Sequence, residues 1–308
     1  MAAVVAASGV ALAVQGRDGR DTSTDHTATE PMFAPVTDWR PESWHGLTVD
    51  VPADWGWGTT PIQISSGNGR LLMCGGPGET VHSDGSRSAN PVPGTPWVGR
   101  PIMLSDVCGE AAHSTPDAPY VWLGADVEPG TVDLGDGYTQ ETIEEFGTTL
   151  TVATQDPAVR RHVLDSARAT TGCSAGLDAA PTILGMPTEG LDPIHSAQVC
   201  AYQAGTKGYD LVYATTLDEA SAQRLASVAK DRGMAMCDPD ASEYVVVTFS
   251  GKDRMGSAEL TQDAIIDPGC QAMSFDGTSW SPLTGPDQAL WSSNGLQAVL
   301  TAFIGGLG

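Results

Sequence analysis

The sequence predicts an α+β protein: two small antiparallel-sheet units, each with a helix packed on one face, stapled together by disulfides. Three observations carry this expectation. Period-two apolar runs recur along the chain, few segments have helical spacing, and six dispersed cysteines follow an apolar N-terminal run. Strands adjacent in sequence with few crossover helices favour antiparallel pairing.

A chain of 308 residues, 41% of them hydrophobic, can bury a core without metal or oligomerisation. Lys and Arg number 15 against 38 Asp and Glu, for a net charge of −23. Such a chain repels phosphate backbones and anionic lipid, so nucleic acid is excluded as a partner. The acidic residues are spread along the sequence and read as a solvated surface.

The first residues, "MAAVVAASGVALAVQG", have the length and composition of a signal-peptide core, and Ala11-Leu12-Ala13 offers a cleavage site. Arg17 and Arg20 follow the run and no basic residue precedes it, so a retained anchor stays open beside cleavage. Residues 1–15 are therefore expected to direct export, and the membrane to be met only through them. Residues 16–38 are rich in Thr and Asp with little apolar periodicity and read as a tether. A first α+β domain is expected over 39–171 and a second over 172–308.

The first domain opens with four tryptophans and an alternating strand from His45 to Val51, closed by Pro52. Residues 59–119 are dense in Gly, Pro and Ser, which supply turns, with short strands at 70–74 and 100–105. A strand at 120–124 comes next, then two strands over 138–154 joined near Gly147. A helix over 156–169 follows: Asp156 caps it, Pro157 suits its first turn, and Val159, Val163, Leu164 and Ala167 share a face.

In the second domain, strands are expected at 197–202 and 209–215. A helix then opens with the capping box Thr216-Leu217-Asp218-Glu219, carries Ala222, Leu225, Val228 and Ala229 on one face and ends at Gly233. Further strands at 244–249, 264–267 and 270–275, a turn at Asp276-Gly277 and a helical pattern over 286–303 complete the reading.

Val51, Pro52, Ala53, Asp54 and Trp55 at the front, and Leu164, Asp165, Ser166 and Ala167 at the back, resemble the borders of small exported PsbP-like domains. The resemblance covers 39–170 and implies an exported domain that begins on a strand and ends on a helix; the Gly/Pro-rich stretch holding Cys74 and Cys108 departs from it. The whole chain also resembles uncharacterised exported proteins of high-GC Gram-positive bacteria, which implies export and no particular activity.

Four constellations could carry chemistry. "GCSAG" at 172–176 fits the G-x-S-x-G pattern of a nucleophilic serine, with Ser174, Asp178 or Asp192, and His195 as a cramped triad. The pattern needs a strand before the serine and a helix after it, whereas Ser174 follows a helix and is soon met by Pro181. Metal ligands could come from Cys74, His82, Asp84, Cys108 and His113, but no close ligand pair of the zinc type occurs. Asp133, Asp136 and Glu141, and separately Asp238, Asp240 and Ser242, resemble fragments of calcium loops without their glycine and glutamate. No metal or cofactor is therefore expected. Trp39, Trp44, Trp55 and Trp57 could stack on sugar rings, although core packing is the commoner use of indoles.

Cys74, Cys108, Cys173, Cys200, Cys237 and Cys270 read as three disulfides of an oxidising compartment. Chain topology favours Cys74 with Cys108, Cys173 with Cys200 and Cys237 with Cys270, while exchange among the last four stays open. The expected function is non-catalytic binding or structure at the cell envelope, with cell-wall glycan or an envelope protein as the partner class. A serine hydrolase using Ser174 and a tryptophan-mediated glycan-binding module are the alternatives.

Overall fold

Alternating apolar and polar residues dominate the chain, and a computed structural model turns nearly all of that alternation into sheet. It describes residues 36–66, 69–73, 76–77, 80–81, 87–88, 94–101, 115–182, 191–228, 242–256, 258–284 and 287. The N-terminal segment to Pro35, the end of the strand expected at 100–105 and nearly all of the helical pattern over 286–303 lie outside these residues.

The first strands in chain order are β1 (Trp39–Trp44), β2 (Leu47–Pro52), β3 (Gly56–Thr59), β4 (Ile62–Ser66) and β5 (Gly69–Met73). Then come β6 (Gly76–Pro77), β7 (Thr80–Val81), β8 (Arg87–Ser88), β9 (Trp97–Arg100), β10 (Tyr120–Leu123), β11 (Gly130–Gly135), β12 (Tyr138–Glu145) and β13 (Thr148–Thr154). Helix α1 (Pro157–Asp165), β14 (Arg168–Ala169), β15 (Gly176–Leu177), β16 (Leu191–Ala204), β17 (Tyr209–Leu217) and α2 (Glu219–Val228) follow. The described chain closes with β18 (Glu243–Asp253), β19 (Glu259–Asp267), β20 (Ala272–Ser274) and β21 (Trp280–Pro282).

The expected α+β class is thereby corrected. Among the described residues the protein is mostly β, with two helices of 9 and 10 residues. Its strands form a three-stranded sheet β1-β2-β14 and two seven-stranded sheets, β11-β12-β13-β10-β9-β3-β6 and β15-β17-β16-β18-β19-β20-β21, beside two small hairpins. The Gly/Pro-rich stretch, where strands were expected only at 70–74 and 100–105, supplies β4 to β9, and β5 matches the first of the two. Nor is the sheet wholly antiparallel: β9 runs parallel to both β3 and β10. Glycine makes this possible at Gly99, where an added Cβ would lie 2.5 Å from the Thr59 carbonyl oxygen and 3.0 Å from the Trp122 ring.

At the front, the strand expected from His45 to Val51 is β2, which starts at Leu47 and joins β1, a strand not expected, in a hairpin. Its turn takes His45 into the left-handed region at φ 50°. Downstream, β12 and β13 pair as expected around Gly147. Helix α1 also starts as expected, with Asp156 accepting hydrogen bonds from the N–H groups of Ala158 at 2.8 Å and Val159 at 3.4 Å. It stops at Asp165, short of the expected 169, because Arg168 and Ala169 turn into sheet beside β2. Helix α2 starts later than expected, since β17 holds Thr216 and Leu217. Its cap is Asp218, which accepts from the Ser221 N–H at 2.8 Å, and Glu219 accepts from Gln223 instead of reaching back.

One hydrophobic cluster runs through the molecule. It joins Val49 and Val51 of β2, Val121, Leu123, Leu150 and Val152 of one large sheet, and Val199, Val245, Val247 and Phe249 of the other. The core thus crosses the border expected at 171. Val159 and Val163 of α1 and Ala222, Leu225 and Ala226 of α2 close over it. Period two in β10 splits its residues: Val121 and Leu123 enter this core, while Tyr120 and Trp122 enter a second cluster with Trp97, Leu134 and Tyr138.

The three sheets meet at one ion pair. Glu42 of β1 and Arg100 of β9 are each 1% exposed, and Arg100 Nη2 donates to Glu42 Oε2. Arg100 Nε donates to the Ser43 carbonyl at 3.1 Å, and the guanidinium lies 5.3 Å from the Tyr213 ring centre on β17. Ser43 Oγ in turn donates to the Ala214 carbonyl and accepts from its N–H, both at 2.8 Å. Removing one partner of such a pair strands a buried charge. Arg100→Met should therefore cost about 3–5 kcal/mol in urea unfolding, and Glu42→Leu added to it should recover part of that loss. A loss under about 1 kcal/mol in the single variant would show that the pair does not hold the sheets.

Candidate functional site

The residues expected to carry chemistry are dispersed. Gly172, Cys173 and Ser174 cross the outer face of β16 in register. An added Cβ at Gly172 would lie 3.0 Å from Gln198 Oε1, Cys173 is disulfide-bonded to Cys200, and Ser174 hydrogen-bonds with the Tyr202 hydroxyl through its backbone and side chain. Each step moves along β16 away from His195. At about 3.3 Å of rise per residue, His195 sits roughly 17–23 Å from the Cys200–Tyr202 stretch. Asp192 and Asp178 are exposed, Asp192 at the far start of the same strand. The structure therefore places Ser174 with Tyr202 and does not bring it to His195 or Asp192.

The disulfide itself has Cα atoms 5.7 Å apart and joins the loop after β14 to β16. With Tyr202, Leu211 and Leu177 it forms a small cluster on the outer face of the second sheet. Cys270 is disulfide-bonded as well. Cys74, Cys108 and Cys237 lie outside the described residues, as do His82, Asp84 and His113 of the suggested metal set.

The tryptophans are spent on packing. Trp44 and Trp55 are buried in the main cluster, and Trp39 and Trp57 pack against it. Trp39 stacks on His162 of α1 with ring centres 3.6 Å apart. Trp57 donates its indole N–H to Glu42 at 3.1 Å, beneath the Arg40 guanidinium at 4.9 Å, and Arg40 Nε donates to the same Glu42 oxygen at 2.7 Å. These indoles form no exposed platform.

The fragments that resembled calcium loops have other occupations. Asp133 accepts from the Gly135 N–H at 2.9 Å, the Asp136 carbonyl accepts from Gln155 at 2.8 Å, and Glu141 pairs with Arg160 at 3.5 Å. Ser242 offers its carbonyl to Ala204, and Asp238 and Asp240 lie outside the described residues. Among the described residues no group of three or more His, Cys, Asp or Glu could hold a metal ion.

Two titratable clusters escaped the sequence reading. His45 is held below its ordinary range by burial, which outweighs the opposing pull of the Asp210 carboxylate and the Leu211 backbone. Glu243 and Asp267 are 6% and 3% exposed, at the start of β18 and the end of β19. Burial, and secondarily the Asp267 charge, push Glu243 up from 4.5 to about 7. The only signal in the sequence is an acid abutting each apolar run, "EYVVVTF" and "AIID".

Glu243 holds its proton more tightly in the folded chain than in the unfolded one. Between 4.5 and about 7 the unfolded chain binds fewer protons, so stability should fall as pH rises through this window. Glu243→Gln should flatten that fall and raise the melting temperature above pH 7; an unchanged profile would mean that Glu243 titrates normally. No protein-family model, no characterised protein and no solved structure matches the chain, so the reading of its function rests on its own residues.

Proposed function

We propose that this chain is an exported protein of the cell envelope, held at the outer membrane face or released, whose role is binding or structural and not catalytic. The observation that carries the reading is the Cys173–Cys200 disulfide in a chain that opens with an apolar, signal-like run. Closing a loop of sequence separation 27 contributes on the order of 3 kcal/mol in an oxidising compartment, and that contribution is absent in a reducing one. The non-catalytic side is supported by the Ser174 hydroxyl, which is engaged by Tyr202 and remote from His195.

Protease treatment of intact, wall-stripped cells expressing the full chain should degrade residues 39–308, and peptide mapping without reduction should recover Cys173 linked to Cys200. Full protection of the chain together with free thiols at both positions would overturn export. Labelling by a serine-reactive fluorophosphonate that disappears in Ser174→Ala would overturn the non-catalytic role.

A further inference from the structure

The first large sheet ends on β11, a six-residue strand paired on one side with β12. The other terminal strands of the two large sheets, β6, β15 and β21, are two or three residues long. Residues 130–133 of β11 are exposed, Val132 at 36%, and an added Cβ at Gly130 would meet nothing within 4 Å. An edge of this kind presents a row of backbone donors and acceptors to any extended chain of matching chemistry. Proteins usually blunt such edges with lysine, proline or bulges. Here the bulge falls at the far end, between Asp133 and Gly135, and leaves Gly130 to Val132 in regular register with β12.

Charge selects the occupant. Between Arg100 and Arg160 the sequence has no Lys or Arg. Glu128 before the strand, Asp133 within it and Asp136 in the following turn are all exposed. A second copy of β11 would bring the same carboxylates against these at close range, which opposes self-pairing. A strand bearing cations on alternate residues would meet them with opposite charge while its backbone completed the edge.

We propose that β11 is a docking edge for an extended lysine- or arginine-bearing polypeptide segment, which adds as an eighth strand beside Gly130–Val132. This names a partner class for the binding role proposed above, and the test uses purified protein, so its outcome is separate from that of the export experiment. The full chain is titrated with a capped Lys-Val-Lys-Val-Lys-Val-Lys peptide, the same peptide with every Lys replaced by Glu, and the same peptide with its central Val replaced by Pro. The first peptide should bind on the order of tenfold more tightly than either control and slow amide exchange at 130–132. Val132→Lys should weaken it by a similar factor with an unchanged melting temperature, and Glu128→Gln with Asp136→Asn should weaken it several-fold and flatten its salt dependence. Equal binding of the proline peptide would reduce the effect to bulk charge and overturn the proposal. Absence of binding, or self-association of the protein through 130–135, would overturn it as well.

Discussion

The contact between Glu42 and Arg100 is the constraint on which the arrangement of the sheets depends. Two ions removed from water are tolerated where polar neighbours replace it, and here Arg40, Trp57, the Ser43 carbonyl and the Tyr213 ring surround them. Those partners come from β1, β3 and β17, and Arg100 itself from β9. A slip of any of these strands by one residue would turn a charge toward apolar neighbours. The pair therefore selects one register among several that the valine-rich faces would otherwise accept. Ser43 extends the same line of bonds to Ala214, so the short three-stranded sheet acts as the joint between its two larger neighbours.

That joint explains how the aromatic residues are used. Trp57 orients the carboxylate of Glu42, Trp44 lies against Gly124, where a Cβ would collide with its ring, and Trp39 covers the end of α1 through His162. Large indoles fill space in and against the main core cluster. The exposed backbone and carboxylates of β11, proposed above as a docking edge, therefore lie apart from the tryptophan-rich opening of the domain.

Much of the local structure was legible in the sequence. Asp156-Pro157 announces α1 because capping and a fixed φ are local chemistry, and Gly147 announces the β12–β13 hairpin for the same reason. Cys173 with Cys200 was one of the pairings that the sequence left open among the last four cysteines, and tertiary packing selects it. The fold class was not legible, because β3, β6 and β9 are short and rich in glycine, a composition shared with turns, and their pairing is decided by distant partners. The turn at His45-Gly46 was hidden by a non-glycine residue in a left-handed conformation. Glu42 with Arg100, and Glu243 with Asp267, are joined only by tertiary packing, so no spacing rule reaches them.

The parallel placement of β9 between β3 and β10 has a kinetic side. Neither neighbour can reach β9 by a tight turn: one connection spans residues 60–96 and the other 101–119. Pairings of this kind form after long loops have closed, and chains that depend on them fold slowly. The sheet cannot be completed until Arg100 has emerged and found Glu42, far behind it in the chain. Until that contact forms, β9 has no parallel neighbours and the apolar faces it will cover stay open to solvent, a delay set by topology that suits the export proposed above.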